Sequence, residues 1–226
     1  MTYEELLARL FALSDEGYRA FHKKLLKNEE IRVIGVRMPA LRALAREWKG
    51  ELSSLLAFPD EYYEVTVLKC AVANSLPFGE LCAVCDALVA RLDNWATCDM
   101  FAPACIAKNR EAFKPFILRY LSDPRVFVRR FALTTLLHFY VREEELGFVG
   151  TCLKNADTSP YYVSMAAAWL TAEVLVRFYD RGKALLTSGI LSEATFRRAV
   201  RKACESYRLT DAQKEELRAL KCHILR

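Results

Sequence analysis

The feature that most limits how this chain can fold is a helical pattern that recurs along it. Stretches opening at Tyr62 (YYEVTVLKCAVANSL), Trp95 (WATCDMFAPACIA), Phe127 (FVRRFALTTLLHFY), Tyr162 (YVSMAAAWLTAEVL) and Phe196 (FRRAVRKACESYRL) each pair an aromatic start with a small-residue middle. They recur at roughly 32–35 residues, in the range of helix-pair repeats. More polar helical stretches, GELCAVCDALVARL and EAFKPFILRYL, lie between them. Valine and aromatic residues are frequent, but strict alternation is absent, so strands are not expected. One helix pair cannot bury its apolar face alone. Stacking buries it and leaves an inner surface lined by the second helices. The expected fold is all-α: a superhelical solenoid of helix pairs with a concave binding surface.

Local signals agree with that pattern. Thr2 with Glu5 forms a capping box before YEELLARLFAL, and Thr210 with Gln213 repeats it before KEELRALKCHIL. A second helix is expected from about Asp15 to Lys27. The loop NEEIRVIG precedes RMPALRALAREW, with Pro39 near that helix start. Ser192 caps ATFRRAVRKACESY. Asp123-Pro124 marks a turn, and DPRVFVRRFALTTLL, with Val128, Arg129 and Ala132 on its helix, resembles a HEAT unit. No linker or low-complexity segment interrupts residues 1–226, so a single domain is expected. With 53% hydrophobic residues among 226, the chain can bury a real core.

Several classes of function find no support. No apolar run reaches the roughly 18 residues of a membrane span. The start, MTYEELLARLF, has no basic segment followed by an apolar one, so a cytoplasmic location is expected. The net charge of +5 and pI near 8.7 are only mildly basic. The eight cysteines, Cys70, Cys82, Cys85, Cys98, Cys105, Cys152, Cys204 and Cys222, are expected as reduced thiols. Cys82 and Cys85 form a CxxC without a second pair, which favours core packing over zinc. The three histidines, His22, His138 and His223, have no metal-ligand spacing. There is no GxGxxG, no P-loop and no nucleophile elbow. No metal and no cofactor are expected.

Four side chains stand out against this background. Trp95 and Asp99 are four apart, on one helix face. Arg130 and Trp169 occupy corresponding places in later repeats, and such places neighbour one another in a solenoid. Taken singly, each has an ordinary reading: tryptophan as core, aspartate and arginine as solvated or salt-bridged surface. Taken together, they suit a flat or cationic ligand attached to a phosphate backbone.

Three segments carry a resemblance to the AlkD-type DNA alkylation repair proteins, a HEAT-like family of DNA glycosylases. IGVRMPALRALAREW, residues 34–48, resembles the N-terminal signature of a Gly, then Pro and Arg, then a helix. NWATCD matches the family's Trp-x-x-x-Asp. The helices carrying Arg130 and Trp169 match its places for a phosphate-side arginine and a second aromatic. The resemblance covers nearly the whole chain. It implies excision of cationic N3- and N7-alkylated purines from duplex DNA, and a solenoid of this size is expected to be a monomer. Asp99 would stabilise the oxocarbenium-like sugar and position water. Trp95 and Trp169 would press on the lesion nucleotide, and Arg130 would hold a phosphate. Arg37, Arg42 and Arg129 would add DNA contacts. Lys108, Arg110, Arg197, Arg198, Arg201 and Lys202 read either as a phosphate track or as solvated faces. The alternative is a helical scaffold that binds nucleic acid or protein without chemistry, and the presence of Asp99 weighs towards the enzyme.

Overall fold

The computed structural model describes residues 2–26 and 28–220. Cys222, His223 and the end of the KEELRALKCHIL stretch lie outside the described residues. Every element among the described residues is helical, and extended pairing among them amounts to an isolated antiparallel bridge between Ser14 and Val36. The chain divides into two compact units, residues 1–108 and 109–226.

The first unit contains α1 (Tyr3–Ala12), α2 (Glu16–Leu26), α3 (Met38–Glu47), α4 (Leu52–Ala57), α5 (Tyr63–Ala73), α6 (Phe78–Val89) and α7 (Trp95–Met100), then a 3-10 turn over Ala104–Lys108. The capping box on α1 is present: Glu5 N–H donates to Thr2 Oγ1 at 3.3 Å, and Thr2 N–H donates to Glu5 at 2.8 Å. Asp15 starts α2 by accepting from the Tyr18 amide at 2.8 Å. Pro39 sits in the first turn of α3, where its missing N–H costs nothing.

Helix α5 is the spine of this unit and packs against α3, α4, α6 and α7. It is buried on nearly every side, which is why YEVTVLKCAVA has no polar face to speak of. Two charged residues are buried with it, and both are answered. Lys69 donates to Asp60 at 2.8 Å and to the Phe58 carbonyl at 2.7 Å. Glu64 accepts backbone N–H groups from Ile34, Gly35 and Val36. Burial pulls the Lys69 ammonium below its ordinary range, and the Asp60 hydrogen bond opposes that.

The second unit contains α8 (Arg110–Leu121), α9 (Val126–Phe139), a 3-10 turn (Glu143–Glu145), α10 (Leu146–Asn155), α11 (Tyr161–Arg177), α12 (Tyr179–Thr187), α13 (Glu193–Cys204) and α14 (Asp211–Ala219). Here the stacking of pairs is plain. Helix α11 packs between α9 and α13, while α8 backs α9 and α12 backs α11. Helices α9 and α11 are buried nearly all round, with Ala166, Ala167 and Ala168 allowing close approach at the centre of α11. Asp123 forms the turn before α9 by accepting from the Arg125 amide at 2.9 Å. Ser192 and Thr210 cap α13 and α14 as their sequence positions predict, Thr210 with a full capping box.

The five expected repeat openings fall at, or within three residues of, the starts of α5, α7, α9, α11 and α13. One differs in length. The stretch from Trp95 yields only the short α7, because Pro103 has no amide to donate and disfavours a helical Ala102. Asn74, next after α5, secures that break: its Nδ2 donates to the Met100 carbonyl at 2.9 Å, and its Oδ1 accepts from the Ala102 amide at 2.8 Å.

Candidate carboxylate site and basic surfaces

Helix α7 is short, but it is held at both ends. Asn94 Oδ1 accepts from the Thr97 amide at 3.0 Å, and Thr97 Oγ1 donates back to the Asn94 carbonyl at 3.0 Å. Asn94, Thr97 and Cys98 are buried against the body of the unit. Trp95 and Asp99 are each only half-buried. They are a turn apart and so share one face, and the adjoining Ala96 and Met100 are half-buried too. The geometry puts an indole and a carboxylate side by side at the surface, on a helix capped by Asn94 and tied to Asn74 at its end. Asp99 also stands in the last turn of α7.

The first signature segment also supplies cations to this unit. Arg37 flanks α3 and is committed: Nε and Nη2 donate to Asp15 Oδ2 at 3.0 and 2.8 Å, and its guanidinium lies 5.0 Å from the Tyr18 ring centre. Arg42 is exposed on α3, with no ion-pair partner among the described residues.

The remaining predicted residues belong to the second unit. Trp169 is 37% exposed on α11, an open indole on a helix that is otherwise nearly all core. Arg130 on α9 is different, with only 6% of its surface exposed. Its Nη1 donates to the Tyr162 carbonyl on α11 at 2.8 Å. The side chain therefore ties α9 to the helix that carries Trp169. Arg129 donates to Asp157 at 2.6 Å, which compensates much of its charge. The Asp157 carboxyl is held down at about 2, first by the Ser159 hydroxyl and amide and then by Arg129.

The C-terminal basic cluster is more specific than its sequence suggests. Arg197, Arg198, Arg201 and Lys202 line a groove of about 500 Å³ between α11 and α13, with Tyr161 and Met165 on the opposite wall. Arg198 Nη1 donates to the buried Ser164 hydroxyl at 2.6 Å. Neither Ser164 nor Tyr161 stands out in the sequence, because each owes its role to a partner on α13. Asn74 and Glu64 escape notice for the same reason. The CxxC pair lies on α6 with Cys85 buried and Cys82 half-buried, and no disulfide joins the described cysteines. Among the described residues no group of three or more His, Cys, Asp or Glu is placed to hold a metal ion. No described helix is long and apolar enough to cross a membrane.

No curated protein matches the chain. The family model described as DNA alkylation repair enzyme matches residues 6–203. That span takes in α7, the helices carrying Arg130 and Trp169, and the basic face of α13. On this match the chain belongs to the DNA alkylation repair enzyme family.

Proposed function

We propose that this protein is a monofunctional DNA glycosylase that removes positively charged N3- and N7-alkylated purines from duplex DNA. The observation that carries this reading is α7, where Trp95 and Asp99 stand half-exposed on one face while Thr97 and Cys98 are buried and Asn94 caps the helix start.

The chemistry follows from the charge of the substrate. An alkylated purine of this kind already carries a positive charge, so it leaves without protonation. The C1′–N bond breaks, its electron pair neutralises the departing base, and positive character passes to the sugar. The Asp99 carboxylate faces that developing charge and stabilises it. Water then adds to C1′, and Asp99 accepts the proton that the water gives up. Trp95 contributes a ring face to the cationic nucleotide. Trp169 offers a second aromatic surface to DNA, and Arg42 a phosphate contact. Arg130 works at one remove, since a side chain this buried holds α11 in place more than it meets solvent.

The test is base release from methylated duplex DNA by the parent and by Asp99→Asn, each scored beside DNA affinity. Asp99→Asn is expected to keep affinity and lose release. DNA binding by the parent without release would instead favour a non-catalytic scaffold.

A further inference from the structure

The groove between α11 and α13 has chemistry that excision at Asp99 does not use. Its cations sort into two kinds. Arg197 pairs with Glu193, and Lys202 pairs with Glu205 at 2.7 Å. Arg198 and Arg201 have no carboxylate partner among the described residues. They are three apart on α13, so both face the groove.

Arg198 is fixed without being neutralised. Ser164 and Thr195 are fully buried, and their hydroxyls are 2.7 Å apart. Thr195 Oγ1 lies 2.9 Å from Ser192 Oγ, which lies 3.3 Å from Thr158 Oγ1. Because Ser164 accepts from Arg198, its own proton is free to turn to Thr195, and the chain runs on outward to Ser192 and Thr158. Ser164 then presents a lone pair to the guanidinium, and with the hydroxyls behind it donating in the same sense their dipoles reinforce one another. Such an arrangement orients a cation and leaves its net charge intact, which is what an anion site needs. The guanidinium also lies 5.1 Å from the centre of the Tyr161 ring. That tyrosine is 57% exposed, and Met165 adjoins it one turn along α11.

We propose that this groove is a seat for one unpaired DNA nucleotide, with its base stacked on the Tyr161–Arg198 pair and its phosphate on Arg201 and the outer edge of Arg198. A base inside a duplex offers no open face to such a pair. A volume of about 500 Å³ is in the range of small-ligand sites and does not admit a double helix. Exposed aromatic rings beside arginine are how unpaired bases are gripped. The proposal rests on the reading above only in taking DNA as the partner, and its test does not involve base release.

The test compares a short dye-labelled oligothymidylate with its abasic counterpart, which has the same phosphates and no bases, by anisotropy with the full chain. The oligothymidylate is expected to bind about tenfold more tightly. Tyr161→Ala should abolish that ratio, while Tyr161→Phe should retain it and serves as the folding control. Arg201→Ala should weaken both ligands and lower the slope of log affinity against log salt by about 0.7. Equal binding of the two ligands by the parent, or a ratio unchanged in Tyr161→Ala, overturns the proposal. Tight oligothymidylate binding with no base release from methylated duplex would strike the glycosylase reading and leave the seat standing. The converse result would separate them the other way.

Discussion

The carboxylate of Glu64, in the first turn of the first unit's spine, accepts the backbone N–H of Gly35 at 2.7 Å. The amides of Ile34 and Val36 converge on the same side chain, at 3.0 and 3.3 Å. The loop before α3 is wound around this one buried acid, and its tightness explains the glycine. Gly35 has φ +98°, and a Cβ there would sit 2.7 Å from the Asp15 carbonyl oxygen and 2.6 Å from Arg19 Cβ. Glu64→Gln is expected to cost about 2–3 kcal/mol, since one charged acceptor is exchanged for an amide with a single acceptor oxygen. Urea unfolding measures it. A variant as stable as the parent would mean that the loop does not depend on the acid.

A second glycine matters for a different reason. A Cβ on Gly182 would fall 2.6 Å from Leu175 Cα, where α12 crosses α11 backbone to backbone. Nothing within 4 Å would meet a Cβ on Gly147. Gly182→Ala should therefore destabilise by roughly 1–3 kcal/mol through forced separation of the helices. Gly147→Ala should be neutral or slightly stabilising, because alanine is the better helix former. Thermal melting of the two variants side by side reads the contrast.

His22 predicts a dependence on pH. It is buried on α2, with ring centres 5.4 Å from Tyr18 and 4.7 Å from Tyr63. Burial lowers its proton affinity below the usual 6.5, and the nearby Glu64 opposes that only in part. The folded state thus prefers the neutral ring, while the unfolded chain titrates normally. Stability from this group is complete above about pH 6.5 and is lost as pH falls through the lower folded value. His22→Phe should flatten the stability curve just below pH 6.5. Asp157 acts in a separate window, between its ordinary 3.8 and about 2, so the limb at lowest pH should persist in the variant. An unchanged slope below pH 6.5 would remove His22 as its source.

Arg130 and Trp95 should fail differently. Trp95 is half-buried at the surface, so Trp95→Ala is expected to cut base release far more than it lowers the melting temperature. Arg130 is buried and bonded to the Tyr162 carbonyl, so Arg130→Ala should lower stability by about 1–3 kcal/mol and weaken DNA binding with it. Loss of DNA binding at unchanged stability would return Arg130 to direct phosphate contact.

Much of the fold was legible because helix signals are local. Thr2, Asp15, Ser192 and Thr210 each act on an amide within three residues of themselves. The stacking of pairs in the second unit was legible for a related reason: the small-residue centres of α9 and α11 recur at the repeat period. What escaped is made by distant partners. Glu64 reads as an ordinary helix acid until the loop of Gly35 is folded onto it. Asn74 shows no sign that it ends α7. Trp95 and Asp99 were paired by spacing alone, and α7 keeps them on one face. For Arg130 the spacing gave its place on α9 but not its burial, because what covers it comes from α11.

The central claim is that the Asp99 carboxylate drives base loss. Its most direct test is single-turnover release of 7-methylguanine and 3-methyladenine from methylated duplex DNA, with affinity measured on the same samples. The account predicts release by the parent and a drop of at least about 10²–10³-fold in Asp99→Asn at unchanged DNA affinity. Release by Asp99→Asn at the parent's rate would contradict it.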